Sequence, residues 1–123
     1  MTDYPSNRAL EELKITGERI LAKTEADLKN RRIFEVARVY ALVNRESEKL
    51  DEEARTLKLV GKLDHDIYRQ LVEGYASLSC GIFEQAKAHR VAADVKVLSR
   101  NLKHSIDSNY SSLAQYLAEA DAK

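Results

Sequence analysis

The feature that most constrains the fold of this chain is the absence of proline after Pro5, combined with apolar residues at every third or fourth position from Leu10 to Ala120. Proline interrupts helices because its ring removes a backbone donor and clashes with the preceding turn. An apolar residue at every third or fourth position lies on one face of an α-helix, whereas a half-buried strand alternates apolar and polar residues. The pattern therefore predicts an all-α protein.

The length of 123 residues is enough for one hydrophobic core and too short for two. We expect a single helical domain over residues 1–123, with residues 1–5 and 121–123 as flexible ends. The chain has no tryptophan and two phenylalanines, so Leu, Ile, Val and Ala must form most of the core. Most of the tyrosines on or beside the apolar stripes are expected at the edges of the core with hydroxyls in water, and some on a contact surface instead: Tyr40, Tyr68, Tyr75, Tyr110 and Tyr116.

Interruptions of the apolar stripe divide the chain into helices. The stripe changes phase between Leu28 and Ile33, which predicts a break near Asn30 to Arg32. Gly61 is suited to end the second helix, and Asp64 to cap the third. We expect an elongated antiparallel bundle of about four long helices: Ser6–Asn30, Arg32–Val60, Asp64–His89 and Val91–Ala120.

Three further segments could interrupt these helices. The stripe is thin over Asn44–Glu53, so this segment either projects from the bundle or contains a turn around Asn44–Ser47, and a continuous helix is favoured. A glycine interrupts Ser79–Gly81, but the phase continues through it, which favours an unbroken helix. Ser105–Ser112 is rich in serine, and serine side chains compete for backbone hydrogen bonds. A kink or a short break in the last helix is the alternative there.

The charge balance bears on the class of partner. Lys plus Arg and Asp plus Glu each number 20, so the formal net charge is +0. A balanced chain lacks the strong positive field that drives non-specific binding to nucleic acids or anionic membranes. This balance disfavours nucleic acid and favours a protein partner.

Location can be judged from the apolar segments and the single cysteine. No uncharged stretch approaches the roughly 20 residues needed to span a bilayer, so we expect no membrane insertion. The first residues lack a basic start followed by an apolar run, so we expect no signal or transit peptide. Cys80 is the only cysteine, which excludes a disulfide within the chain and favours the cytoplasm. No basic residue within five positions would stabilise its thiolate, so we interpret Cys80 as a small buried side chain.

The histidines do not form a recognisable catalytic or metal-binding set. In di-iron helical bundles a glutamate precedes a ligating histidine by three positions. No glutamate stands in that position before His65, His89 or His104. We therefore assign no catalytic, cofactor-binding or metal-binding residues and expect no cofactor.

The segment Ala88-His89-Arg90-Val91-Ala92-Ala93 resembles the histidine helix of histidine phosphotransfer domains, which are helical bundles of about this length. The resemblance implies that an exposed His89 on a helix carries a phosphoryl group and that Ala93 leaves room for the partner. Ala92 stands where that family has a lysine. A phosphotransfer-like signalling module that uses His89 is therefore one alternative function.

Charged residues are locally segregated although globally balanced. An acidic run lies in the second helix and a basic run follows the third: Glu46, Glu48, Asp51, Glu52 and Glu53, and Lys87, Arg90, Lys96, Arg100 and Lys103. These runs form either two solvated faces or complementary patches that set helix register or self-association. A nucleic-acid-binding regulator that uses the basic helix from Lys87 to Lys103 is the second alternative function.

Long amphipathic faces and the absence of a catalytic set favour an interaction protein. We expect a non-enzymatic adaptor, regulator or assembly factor that binds a protein partner through its helix faces. We also expect a homo-oligomer, with a dimer favoured.

Overall fold

The computed structural model describes residues 7–59, 65–102, 105–106 and 113–121. Helices account for most of these residues, and none of them lies in a strand, which confirms the predicted all-α class. The helices are α1 (Asn7–Lys29), α2 (Ile33–Leu59), α3 (His65–Ala88), α4 (Ala92–Asn101) and α5 (Leu113–Asp121).

Helix α2 is the centre of the bundle and packs against the other four helices. Its inward face is aliphatic and fully buried, with Val36, Val39, Leu42 and Val43 shielded from solvent. The other helices contribute one apolar stripe each to the same core: Ile20 and Leu28, Leu78 and Ile82, Val95, and Leu113 and Leu117. A smaller cluster around Leu50, Tyr68 and Leu71 closes the far end of α2 and α3.

Most predicted interruptions agree with the structure. The break near Asn30–Arg32 separates α1 from α2, while α2 runs unbroken through Asn44–Ser47 and α3 through Ser79–Gly81. The predicted last helix, Val91–Ala120, is not continuous: α4 ends at Asn101, and among the described residues beyond it Ser105 and Ile106 are helical and α5 begins at Leu113. Helix α4 ends at its C-cap Leu102, whose N–H donates to the carbonyl oxygen of Leu98. Of the serine-rich segment, Ser105 is helical and residues 107–112 lie outside the described residues.

Several predicted features lie outside the described residues. They are the flexible segment 1–5, the helix-ending Gly61, the capping Asp64, and Tyr110.

The turn between α1 and α2 is a Schellman motif, in which two backbone bonds close the helix end. The N–H of Arg32 donates to the carbonyl oxygen of Asp27 at 2.8 Å, and that of Arg31 to Leu28 at 3.1 Å. Arg31 has a φ of 57°, in the left-handed region that favours glycine. An arginine therefore occupies the position where most such turns have a glycine.

The turn between α3 and α4 repeats this geometry. The N–H of Val91 donates to Ala86 at 2.9 Å, and that of Arg90 to Lys87 at 3.0 Å. Arg90 has a φ of 62°, so it occupies the same left-handed position as Arg31. The two hairpins, α1–α2 and α3–α4, thus reverse direction through equivalent turns.

Helices α1 and α3 run parallel and approach closely because leucines of α1 lie over glycines of α3. A Cβ atom on Gly74 would lie 2.6 Å from Leu13 Cδ2, and one on Gly81 would lie 3.0 Å from Leu21 Cδ2. Residue numbers increase in the same direction along both helices from the first pair to the second, so α1 and α3 are parallel. A Cβ atom at either position would require the facing leucine side chain to shift.

Gly17 of α1 differs from these two glycines. A Cβ atom there would meet only Leu78 Cδ1 at 3.8 Å, an ordinary van der Waals contact. The packing of α1 against α3 therefore does not require glycine at position 17.

These distances predict opposite effects for two glycine substitutions. Gly17→Ala should raise the free energy of unfolding by about 0.5–1 kcal/mol, because alanine restricts the unfolded chain and favours helix. Gly74→Ala should lower it by up to about 2 kcal/mol, because Leu13 must move. Urea unfolding measures both. An equal gain from the two variants would contradict the close approach at Gly74.

The left-handed turns predict that glycine is more stable than arginine there. Arg31→Gly and Arg90→Gly should each raise the free energy of unfolding by about 0.5–1 kcal/mol, since glycine adopts this conformation without a Cβ clash. Lys29→Gly, at the last helical position of α1, should lower it by a similar amount. Thermal unfolding of the three variants checks the prediction, and a loss of stability in both arginine variants would refute it.

Candidate functional site

Neither a metal centre nor a membrane span is found in the part of the chain that the structure describes. No group of three or more His, Cys, Asp or Glu side chains there is placed to hold a metal ion. None of the helices formed by those residues is long and apolar enough to cross a membrane.

His89 lies in the turn after α3 rather than on a helix. Its Nε2 atom is 3.1 Å from Glu25 Oε1 of α1, and its side chain is 25% exposed. The resemblance to phosphotransfer domains implied an exposed histidine on a helix, and this geometry differs on both points. The side chain of His65 and all of His104 lie outside the described residues.

Cys80 is exposed, so its interpretation as a buried side chain is wrong. Cys80 follows the buried Leu78 by two positions, so its side chain points about 200° around the helix axis from that of Leu78. The helical period therefore puts the thiol on the solvent side of α3.

Tyr116 of α5 is 3% exposed, which corrects its expected place at the edge of the core. Its hydroxyl does not reach into water as expected, but donates to Glu35 Oε2 of α2 at 2.9 Å. Burial, followed by the hydrogen bond and negative charge of Glu35, raises the pKa of Tyr116 well above its usual value. Tyr116 therefore links α5 to α2 through this hydrogen bond.

The other described tyrosines differ in depth. Tyr68 is buried, which also corrects its expected place at the edge of the core. Tyr40 and Tyr75 are half-buried beside the main core. Burial, with a smaller effect from the negative charge of Glu46, raises the pKa of Tyr75 to about 12.

Arg100 of the basic run and two residues of the acidic run line a cleft between α2 and α4. Carboxylates of α2 and the guanidinium of α4 line the same space of about 380 Å³: Glu48, Glu52 and Arg100, beside Arg45 and Lys49. Lys103, the last residue of the basic run, lies outside the described residues.

A second, more open groove of about 540 Å³ follows the line where α1 meets α3. Its floor is apolar and contains two glycines, and its rim is polar. The floor consists of Leu10, Leu13, Gly17, Leu21, Gly74 and Leu78, and the rim of Lys14, Glu18, Gln70, Glu73 and Ser77. We call this feature the α1/α3 groove.

The α1/α3 groove is not evident from the sequence alone. The available signal was the position of Gly17, Gly74 and Gly81 on the apolar stripes, where bulky side chains are expected. Only the pairing of two helices shows whether such glycines admit a neighbouring side chain or leave an open surface.

Comparisons with protein-family models, curated proteins and solved structures found no match to this chain.

The buried tyrosine predicts a loss of stability in alkaline solution. Because the pKa of Tyr116 is raised above its unfolded value of 10.0, its stabilising effect is complete below that pH and is lost as the pH rises beyond it. Tyr116→Phe should lose about 1 kcal/mol at neutral pH and decline less steeply in alkali. Urea unfolding across this range measures both effects. Tyr40→Phe is the control, and an unchanged alkaline slope in Tyr116→Phe would contradict the assignment.

Proposed function

We propose that the protein is a non-enzymatic adaptor, regulator or assembly factor that binds an amphipathic helix of a partner protein in the α1/α3 groove. The main support for this proposal is that the groove has an apolar floor between polar rims. Amphipathic helices bind in this manner, with apolar residues in a groove and polar residues at its edges. From Leu10 to Leu21 the floor is about 16 Å long, which matches about three turns of a helix.

Gly17 supports this proposal because its lack of a side chain deepens the floor. An interior glycine weakens a helix by about 0.5–1 kcal/mol relative to alanine. The contact between α1 and α3 does not require that glycine, since its nearest neighbour, Leu78, would touch a Cβ atom without a clash. Space for a partner's side chain accounts for it.

Two further parts of the proposal concern assembly and location. The groove can accept a helix from a second copy of the chain, and a dimer is then the smallest assembly. Sedimentation equilibrium tests this part. The exposed thiol of Cys80 supports a reducing compartment, such as the cytoplasm.

Filling the groove tests the proposed function. Gly17→Leu should reduce recovery of the partner in affinity capture by about tenfold, because the new side chain occupies the floor. Ile15→Ser is the matched control, since Ile15 is 61% exposed on α1 but does not line the groove. Proteins retained by wild type and Ile15→Ser and lost by Gly17→Leu are the expected result.

Equal retention of every captured protein by Gly17→Leu would contradict binding in the groove. Turnover of a small molecule that depended on a single side chain would contradict the non-enzymatic assignment.

A further inference from the structure

The two Schellman turns lie beside each other at one end of the bundle. Helices α1 and α3 are parallel, so both end on the same side, and polar contacts join the end of α3 to the C-terminal part of α1. Gln85 Nε2 donates to the carbonyl oxygen of Leu21 at 3.1 Å, and His89 lies 3.1 Å from Glu25. Arg31 and Arg90 therefore belong to one surface.

This surface carries exposed cations that are not neutralised by neighbours. Lys29, Arg31, Arg32 and Arg90 are all exposed, and their side chains make no hydrogen bond or ion pair within the described residues. Several exposed arginines elsewhere are paired, as in Arg8 with Glu12 and Arg55 with Asp51. We call the four unpaired residues the cationic end.

The nearby carboxylates are engaged by other groups. Asp27 is bound by Lys23 at 2.6 Å, and Glu35 by Arg38 and Tyr116. Glu25 contacts His89, and Glu84 contacts Lys87. The next carboxylate in the sequence after Arg90 is Asp94, which lies in the first turn of α4 and is exposed. Positive charge therefore exceeds negative charge at this end.

The backbone conformation of Arg31 and Arg90 indicates that their side chains have a use. A left-handed conformation is unfavourable for arginine and favourable for glycine. Neither side chain is engaged within the described part of the fold, so folding alone does not explain an arginine in both turns. Strained positions of this kind are concentrated at binding sites, where the side chain contributes to recognition.

An apolar contact point lies next to these cations. Phe34, in the first turn of α2, is 46% exposed, and the guanidinium carbon of Arg38 is 5.1 Å from its ring centroid. An exposed aromatic ring beside several cations can bind a ligand that combines negative charge with an apolar group.

We propose that the cationic end, together with Phe34, binds a short acidic segment of a partner protein that also carries an apolar residue. Arginine suits this role because its planar guanidinium forms paired hydrogen bonds with a carboxylate. This inference is independent of the α1/α3 groove, since the two surfaces share no residue.

The distribution of charge favours a short peptide segment over a nucleic acid. Exposed carboxylates lie farther along α1, α2 and α3 from the turns, at Glu11, Glu18, Glu48, Glu52 and Glu73. A long polyanion that extended past the cationic end would be repelled by them. A segment with a few carboxylates contacts the cations without reaching that region.

The double variant R31G/R90G tests the proposal, because it removes two cations and should also stabilise the fold. The probe is a rhodamine-labelled peptide of 12 residues in which glutamate and leucine alternate. Fluorescence anisotropy at about 0.15 M ionic strength should show about tenfold weaker binding than to wild type. The variant should also melt at a higher temperature, which excludes misfolding as the cause of weak binding.

The control is R8A/R55A, which removes the same amount of charge from two exposed arginines outside the cationic end. It should bind the peptide within about twofold of wild type, because long-range charge effects are largely screened. Gly17→Leu should also bind the peptide normally, which separates this proposal from the proposed function.

Three results would overturn the proposal. The first is equal binding of the peptide by wild type and R31G/R90G, including no binding by either. The second is an equal loss in R8A/R55A, which would indicate a general charge effect. The third is tighter binding of a twelve-nucleotide single-stranded oligothymidylate than of the peptide at the same salt concentration, which would identify a nucleic-acid surface.

Discussion

The rest of the structure depends on the close approach of α1 to α3, which Gly74 and Gly81 permit. Leu13 and Leu21 occupy the space that side chains at those positions would fill. Because these contacts show that α1 and α3 are parallel, both helices end on the same side of the bundle. The approach also determines both candidate surfaces: the α1/α3 groove runs along the contact, and the cationic end lies beyond it.

Helix α2 holds the remaining elements through both apolar and polar contacts. Its fully buried valines and leucine each contribute roughly 1.5–3 kcal/mol by removal from water. Two of its glutamates fix α5, because Glu46 accepts the backbone N–H of Leu113 at 3.1 Å and Glu35 accepts the hydroxyl of Tyr116. Carboxylates favour the start of a helix, so Glu46 also stabilises the first turn of α5. These contacts orient α5 antiparallel to α2.

Local pattern was sufficient to predict the fold class, the break after α1 and the continuity of α2 and α3. It failed where a distant residue decides the outcome. Tyr116 is buried because Glu35, far away in the sequence, accepts its hydrogen bond. The exposure of Cys80, by contrast, follows from the helical period and was predictable.

The candidate surfaces were less predictable than the fold. Arginine gives no local signal for a left-handed conformation, since glycine is the residue expected there. The function of an interior glycine depends on which helix faces it, and that pairing is a tertiary property. The charged runs are evident in the sequence, but the cleft shared by Glu48, Glu52 and Arg100 depends on the packing of α4 against α2.

The most direct test of this account is a nuclear Overhauser spectrum of the full chain with labelled leucine methyl groups. The account predicts cross-peaks from the Leu13 methyl groups to the Gly74 α-protons and from the Leu21 methyl groups to the Gly81 α-protons. Cross-peaks that joined Leu13 to Gly81 and Leu21 to Gly74 would indicate antiparallel helices. That result, or the absence of all four, would contradict the parallel approach of α1 and α3.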